Sequence, residues 1–436
     1  MKNINASIIT IGDELLIGQV IDTNSAWIAQ QLNRAGIAVT KRIAVGDDAD
    51  EIWNTLESEN QHADVVLITG GLGPTSDDIT KQLLCKYFEG KMIINEGALQ
   101  NVKFLFEKIY HKPISEVNLK QAEVPDVCEV IQNKRGSAPG MVFQKDGTIF
   151  ISMPGVPYEM QGIMEDVIPM LEKRFELPAI IHRTILTAGI GESALAEIIK
   201  DFEAQLPEVI RLAYLPNYGM VRLRLTTSGF DKIKTEKLIN EQFEQLKELV
   251  KNYMVTDKDE TMQEVLGNIL SKNKKTISTA ESCTGGAIAS LITSVPGSSA
   301  YYQGSIVSYS YEIKENLLNV EKVTLEKYGA VSEETVKEML SGLLDQMNTD
   351  FGIAVSGIMG PDGGTAEKPV GTVWVAVGNK ERQFVQKLKQ RFERKKNIEV
   401  TAVMALNMMR KFILEQVIER LPQQLISMKQ LPEYDL

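Results

Sequence analysis

The sequence predicts an α/β protein with two parallel-sheet α/β domains joined by a small α+β module. Its length of 436 residues exceeds one ordinary domain and suggests about three. Near both ends of the chain, buried-strand patterns alternate with helical patterns, which is typical of a parallel sheet. In the middle, an alternating strand precedes a long charged helix. We expect domains over 1–172, 173–255 and 256–420, followed by a tail over 421–436.

In the first domain, apolar runs predict strands over 6–11, 37–45, 63–71 and 148–153. Helical spacing predicts helices from about Ser25 to Ala35 and over 49–58. Three strand ends run into unusual loops, "GDELL", "GGLGPTSDD" and "PGVPYEM". Ligands of such sheets bind at the carboxyl ends of the strands, so these loops predict a binding site.

Helical and strand-like spacing of apolar residues also predicts the elements of the rest of the chain. We expect a helix from near Glu192, a strand over 219–229 and a helix from Asp231 to about Tyr253. Beyond a polar joint, "KKTIST" is a predicted strand and "AESCTGG" a turn before a helix. Further strands are predicted over 350–357 and 371–378, completing a second α/β domain.

Composition excludes several classes of protein. A net charge of −11 argues against a nucleic-acid coat or an anionic membrane partner. The basic run from Lys380 to Lys396 is interpreted as a solvated strand–loop edge. Three scattered cysteines cannot form a disulfide framework, and there is no apolar run of 18 residues. We expect a cytoplasmic protein.

The turn "TAESCTGG" places two possible nucleophiles, Ser282 and Cys283, before a glycine pair. The chain has only three histidines, and none lies near this turn in sequence. A strand–turn–helix of this kind offers main-chain N–H groups to an anion or an oxyanion. The alternative is that Ser282 or Thr284 simply caps the helix.

A lysine can replace histidine as the base. Lys314, in "SYSYEIK", follows a predicted strand end and can deprotonate a serine if burial lowers its pKa to around 7–8. The alternative is a solvated helix lysine, which is the common case.

Four motifs, in order over about 150 residues, closely resemble the C-terminal domain of the CinA family: "TAESCTGG", "SYSYEIK", "GAVSEE" and "SGIMGPDGGTAEKPVGTVWVAV". The resemblance implies a nicotinamide mononucleotide deamidase. It implies Ser282 as nucleophile, Lys314 as base and Cys283 as a buried neighbour, with no cofactor for this reaction. Implied substrate or oxyanion contacts are Glu281, Thr284, Gly285, Gly286, Tyr309, Ser356, Gly357, Gly360 and Gly363.

The chain departs from this family at two places. The family usually has asparagine where this chain has Tyr311, and often Gly-Asp-Arg where it reads "FERKKN" over 392–397. The first change could alter the surroundings of Lys314, and the second a substrate or subunit contact. Neither changes Ser282 or Lys314.

The N-terminal motifs, continued by "NKRGSAPGM" and "MPGVPYEM", look like the molybdopterin-binding fold of CinA proteins. In some members this domain is a metal-dependent ADP-ribose pyrophosphatase, which implies a divalent metal ion, with or without K⁺. Asp77 and Asp78 are the predicted metal ligands. The full predicted site comprises Glu14, Asp22, Asn24, Gly70, Gly71, Gly73, Thr75, Asp77 and Asp78. An alternative for these residues is that Ser76 caps a helix and the two aspartates interact favourably with its dipole. An alternative for the whole domain is that it binds a pterin or is purely structural.

The middle module resembles the KH-like insert of the same family, but "TAGIGES" spaces Gly189 and Gly191 wrongly for a G-x-x-G loop. We therefore expect no nucleic-acid partner. The resemblance implies small nucleotides as partners (nicotinamide mononucleotide and ADP-ribose) and a homodimer, and the net charge of −11 argues against a membrane partner. The alternative is a non-catalytic scaffold associated with competence or DNA damage.

Overall fold

The computed structural model describes residues 4–73, 75, 78–217 and 219–419. The chain divides into two compact units, one of Met1–Ile181 with Thr227–Leu238, the other of His182–Thr226 with Ile239–Leu436. The predicted α/β class is confirmed, and both large sheets prove to be mixed. The tail predicted over 421–436 lies outside the described residues.

The first sheet has the strand order β2-β1-β3-β8-β7-β6. Its first four strands are parallel, β7 is antiparallel to β8, and β6 is antiparallel to β7. The strands of this domain are β1 (Asn5–Ile11), β2 (Ala38–Val45), β3 (Val65–Thr69), β4 (Met92–Ile94), β5 (Glu123–Pro125), β6 (Glu129–Ile131), β7 (Gly140–Lys145) and β8 (Thr148–Met153), of which β4 and β5 pair only with each other. The helices are α1 (Asp13–Leu16), α2 (Thr23–Arg34), α3 (Ala49–Asn60), α4 (Thr80–Tyr87), α5 (Glu96–Phe104), α6 (Glu116–Leu119) and α7 (Pro157–Arg174).

Alternating side chains of β1 pack on opposite faces of this sheet. Ile8 packs with α2 and α7, while Ile9 packs with α3 and α4. Both faces are therefore covered, which explains why β3 and β8 are buried along their whole length. The region from β4 to β5, with its two-stranded antiparallel sheet, was not predicted, because its strands are only three residues long.

The middle module is a four-stranded sheet in the order β10-β11-β9-β12. Its elements are β9 (Ala179–Ala188), α8 (Glu192–Ala204), β10 (Ile210–Asn217), β11 (Met220–Gly229), α9 (Lys232–Val250) and β12 (Met254–Thr256). The alternation predicted for β11 is confirmed, since Val221, Leu223 and Leu225 are buried between more exposed neighbours.

The C-terminal sheet has the order β14-β13-β15-β16-β17. Strands β14, β13 and β15 are parallel, β16 is antiparallel to β15, and β17 is antiparallel to β16. The elements are α10 (Met262–Lys272), β13 (Ile277–Glu281), α11 (Ala287–Thr293), β14 (Tyr302–Val307), α12 (Tyr311–Leu318), α13 (Lys322–Tyr328), α14 (Glu333–Met347), β15 (Phe351–Gly357), β16 (Thr372–Gly378), β17 (Gln383–Lys389) and α15 (Arg394–Glu419).

Small residues bring the α12 side of this sheet close to its helices. Ala280 of β13 and Ala354 of β15 pack there with Leu318 of α12. On the opposite face, Ile353 and Val355 pack with α10, α11 and α15. Within the described residues, no helix is both long and apolar enough to cross a membrane.

Candidate active site

Three strand ends bring serines together on the α12 side of the C-terminal sheet. Glu281 pairs with Val307 of β14 and with Val355 of β15, so the next residue of each strand is also a neighbour. Side chains two residues apart face the same side of a sheet, here the side of Ala280 and Ala354. The neighbours in this row are Ser308, Ser282 and Ser356.

Lys314 reaches this row from the first turns of α12, which Ser310 caps by accepting the N–H of Ile313. Its side chain has no exposed surface, and its Nζ donates to Ser282 Oγ at 3.0 Å. Nζ also contacts two main-chain carbonyl oxygens, of Ser308 at 2.6 Å and of Tyr309 at 3.3 Å. Burial lowers the pKa of Lys314 to about 8. The alternative interpretation of Lys314 as a solvated helix lysine is therefore wrong.

The carbonyl contacts of Lys314 suit an amine base. A neutral amine has two hydrogens and one lone pair. If the hydrogens bind the oxygens of Ser308 and Tyr309, the lone pair faces Ser282 Oγ and can accept its proton. The arrangement can thus turn Ser282 into a nucleophile without histidine.

Cys283 lies next to Ser282 but points into the apolar core of α10, α11 and α15. Burial raises the pKa of its thiol to about 12. Because the thiolate is the nucleophilic form of cysteine, this thiol is poorly suited to attack. The geometry favours Ser282.

Glu281 was expected to contact the substrate, but its carboxylate binds main-chain N–H groups of the protein instead. It is fully buried, and its carboxylate accepts main-chain N–H groups of Gly286 at 3.0 Å, Ile288 at 3.1 Å and Ala289 at 2.8 Å. Glu281 thus caps the start of α11, which explains why neither serine nor threonine caps it. It also occupies the N–H of Gly286, which was expected to face an oxyanion.

The glycine pair shapes the turn. Gly285 and Gly286 have φ angles of 61° and 100°, in the left-handed region that favours glycine. Gly285 donates its N–H to Ser282 O at 3.2 Å, closing a turn around the nucleophile.

The loop over 357–363 lies beside this turn and is tied to α15 by Arg394. The guanidinium donates to Gly360 O at 2.8 Å and to Tyr309 Oη at 3.3 Å. Asn397 donates to Met359 O at 3.1 Å. The segment 392–397, noted as a departure from the family, therefore anchors a loop expected to contact substrate.

Arg394 was not predicted as a site residue, because it lies in the basic run interpreted as a solvated edge. Its partners Gly360 and Tyr309 are distant in sequence, and Tyr309 is 64% exposed. Gly357 and Gly363 belong to the same loop, and a Cβ at Gly357 would lie 2.9 Å from Thr372 O. Arg394 of α15 and the exposed ring of Tyr309 thus place a cation and an aromatic side chain at this loop.

Tyr311, the other departure, binds a neighbouring turn. Its hydroxyl accepts the N–H of Ala330 at 3.2 Å, and Ser356 Oγ donates to the carbonyl of the same residue at 2.6 Å. Tyr311 therefore stabilises the "GAVSEE" turn, and the contacts of Lys314 Nζ described above do not include it.

The N-terminal loops also gather at the carboxyl ends of their strands. Asn24 Nδ2 donates to Thr69 Oγ1 at 3.2 Å and to Gly155 O at 2.7 Å, joining the start of α2, the end of β3 and the loop after β8. A Cβ at Gly70 would lie 2.2 Å from Ile11 O, so the backbones approach as only glycine permits. A Cβ at Gly71 would similarly meet Thr80 Oγ1 at 2.0 Å.

The acidic residues of this region are mostly occupied. Asp22 caps α2 by accepting the N–H of Ser25 at 2.9 Å, and the exposed Glu14 folds its carboxylate over Gly12. Asp78 accepts N–H groups of Gly73 at 2.8 Å and Thr75 at 2.9 Å, and the hydroxyl of Thr75. These are structural contacts.

The expected metal site is only partly visible, since Asp77 and Ser76 lie outside the described residues. Among the residues that are described, no three His, Cys, Asp or Glu side chains cluster as metal ligands. Asp78 closes its own loop, so the described residues do not fit a metal centre.

Lys81 was missed in this region. Its Nζ donates to Gln121 O at 3.3 Å and Lys120 O at 3.4 Å, and burial lowers its pKa to about 8. The sequence carries no sign of this burial, because the partner carbonyls come from a distant turn.

Relatives resemble this protein along nearly its whole length. A CinA-like protein of Cytophaga hutchinsonii is 46% identical over 95% of this chain and 99% of its own. One of Flavobacterium psychrophilum is 48% identical over 94% and 99%. The chain belongs to the CinA family.

Family models divide this CinA-family protein into three parts. The probable molybdopterin binding domain matches residues 7–173, the damage-inducible protein CinA KH domain matches 182–256, and the CinA C-terminal domain matches 259–413. The C-terminal match contains Ser282, Lys314 and Arg394. A putative competence-damage inducible protein of Acetivibrio thermocellus is 39% identical over 94% of this chain and 99% of its own.

Proposed function

We propose that this CinA-family protein is a hydrolase that deamidates nicotinamide mononucleotide to nicotinate mononucleotide and ammonia. The observation that carries the proposal is the buried contact of 3.0 Å between Ser282 Oγ and Lys314 Nζ. A lysine with a pKa of about 8 is about one-tenth neutral at pH 7, enough to serve as a general base.

Neutral Lys314 takes the proton of Ser282, and the alkoxide forms a bond to the carboxamide carbon. The C=O electron pair moves to the oxygen, which main-chain N–H groups of the turn stabilise. As the intermediate collapses, the C–N bond breaks and the Lys314 ammonium protonates the departing ammonia. Lys314, neutral again, then removes a proton from water, which attacks the acyl-enzyme, releases nicotinate mononucleotide and restores Ser282.

The charge of Arg394, bound to this loop, supports a nucleotide substrate. Arg394 lies between Gly360 and Tyr309, where a guanidinium can bind phosphate through two N–H groups. Tyr309 offers an exposed ring beside it. Recognition of the phosphate separates a nucleotide amidase from an amidase of free nicotinamide.

Ammonia release from nicotinamide mononucleotide by wild type, Ser282→Ala, Lys314→Ala and Cys283→Ser tests the proposal. We expect no turnover by the first two variants and near wild-type turnover by Cys283→Ser. A wild-type protein that releases no ammonia would contradict the proposal. A Cys283→Ser variant without activity, still folded by circular dichroism, would move the nucleophile to Cys283.

We propose a second activity, hydrolysis of ADP-ribose, for the N-terminal domain. The supporting observation is that Asn24 joins the start of α2, the end of β3 and the loop after β8, with a close backbone approach at Gly70. Such loops can bind phosphates through main-chain N–H groups.

An assay of ADP-ribose with Mg²⁺, Mn²⁺ or Co²⁺, each with and without K⁺, tests this activity. Turnover that Asn24→Ala abolishes and Ser282→Ala leaves intact would support it. Tight binding of a pterin without turnover under any of these ions would contradict it and favour a pterin-binding domain.

A further inference from the structure

The hydrogen bonds of the Ser282 turn leave few donors for an oxyanion. Ser282 donates its N–H to Val355 O at 2.9 Å and Ala287 donates to Thr284 O at 3.1 Å. Gly285 is bonded to Ser282 O. The N–H groups of Gly286, Ile288 and Ala289 are all bound to Glu281. Within 282–289, a stretch described throughout, the main-chain N–H of Thr284 has no acceptor, whereas that of Cys283 lies against its own sulfur.

Thr284 carries a second unused donor. Its side chain is 3% exposed, and its Oγ1 is buried without a hydrogen-bond partner among the described residues. A buried hydroxyl without a partner is costly and needs an explanation. The reacting group of the substrate can be the partner of this hydroxyl, because Thr284 lies two residues after the nucleophile Ser282 in the same turn.

We propose that Thr284 is a catalytic residue of the amidase, whose side-chain hydroxyl donates a hydrogen bond to the oxyanion formed when Ser282 attacks. This inference rests on the proposed deamidase function. The hydroxyl is free of other acceptors, so the developing charge gains a hydrogen bond without breaking an existing one. Glu281, by contrast, neutralises the start of α11 and removes its N–H groups from the reaction.

Thr284→Val tests the role of the hydroxyl, since valine has nearly the same shape and keeps the main-chain N–H. Loss of one oxyanion donor typically lowers kcat about 10²–10³-fold. We expect a loss of about that size, with little change in the dissociation constant for nicotinate mononucleotide. Thr284→Ser, which keeps the hydroxyl, is expected to retain most of the activity.

Thr227→Val is the matched control. Thr227 is also 3% exposed with a buried Oγ1 that lacks a partner in the described chain, but it lies in β11 of the middle module. Its replacement should leave kcat unchanged. Circular dichroism and thermal melting of each variant separate a folding defect from a catalytic one.

The inference is overturned if Thr284→Val keeps kcat within about twofold of wild type. It is also overturned if the defect lies in product affinity with kcat intact, if Thr284→Ser is as inactive as Thr284→Val, or if Thr227→Val loses as much. An inactive wild type would instead overturn the deamidase function. The two failures are therefore distinguishable.

Discussion

Lys314 Nζ lies 3.0 Å from Ser282 Oγ and 2.6 Å from the main-chain oxygen of Ser308, without any exposed surface. Burial lowers the pKa of its side chain to about 8. The residue is therefore held close to the point of losing its proton at neutral pH.

We predict that kcat/KM for nicotinamide mononucleotide rises with pH and levels off above about pH 8. The reason is the sign of the shift, since burial lowers the pKa of Lys314 to about 8 and the neutral amine is the base. Initial rates between pH 6 and pH 10, corrected for stability, measure it. A profile that falls over this range would contradict the assignment of Lys314 as base.

We predict that Lys314→Met unfolds at a higher temperature than wild type at pH 7, by a few degrees. A lysine whose pKa falls from 10.5 to about 8 on folding binds fewer protons in the folded state. Burial of Lys314 therefore lowers the free energy of unfolding by its full amount below pH 8. The loss becomes smaller as the pH rises from 8 to about 10.5. Thermal melting at pH 7 and pH 10 should show the difference between variant and wild type shrinking with pH. A constant difference would show that packing, not charge, is responsible.

We predict that Glu281→Ala lowers both the melting temperature and kcat. The change leaves three main-chain N–H groups without an acceptor, each costing roughly 1–3 kcal/mol if it stays buried. The turn that holds Ser282 then relaxes, whereas Glu281→Gln keeps one acceptor oxygen and should be intermediate.

Glu338→Ala is the control for Glu281, because Glu338 also accepts a main-chain N–H, from Glu321 at 2.9 Å, and the hydroxyl of Thr324 at 2.7 Å. It should lose stability but keep kcat. If both alanine variants lose kcat in proportion to their melting temperature, Glu281 has no special link to the nucleophile.

We predict that Arg394→Met raises KM for nicotinamide mononucleotide about tenfold or more, with a smaller effect on kcat. The guanidinium is expected to bind the phosphate, and a lost hydrogen bond to a charged group costs about 1.5–3 kcal/mol. The exposed Lys395, next in the chain, is the control, and Lys395→Met should leave KM unchanged. An equal response of both variants would indicate long-range electrostatics rather than a contact.

The sequence determined the α/β class, most elements of the first domain and the pairing of Ser282 with Lys314, because these depend on local periodicity and on motifs. Strand direction at the sheet edges was not determined. The apolar runs of β7 and β16 report burial, and burial is the same for parallel and antiparallel neighbours.

Only the tertiary structure decided how the site is completed. Sequence spacing could not separate a substrate contact from a cap at Glu281, since both need a carboxylate beside a helix start. Arg394 looked like one cation of a solvated run, and its place became evident when α15 brought it to Gly360. The physical reason is that hydrogen-bond partners distant in sequence are chosen by packing, which local patterns do not record.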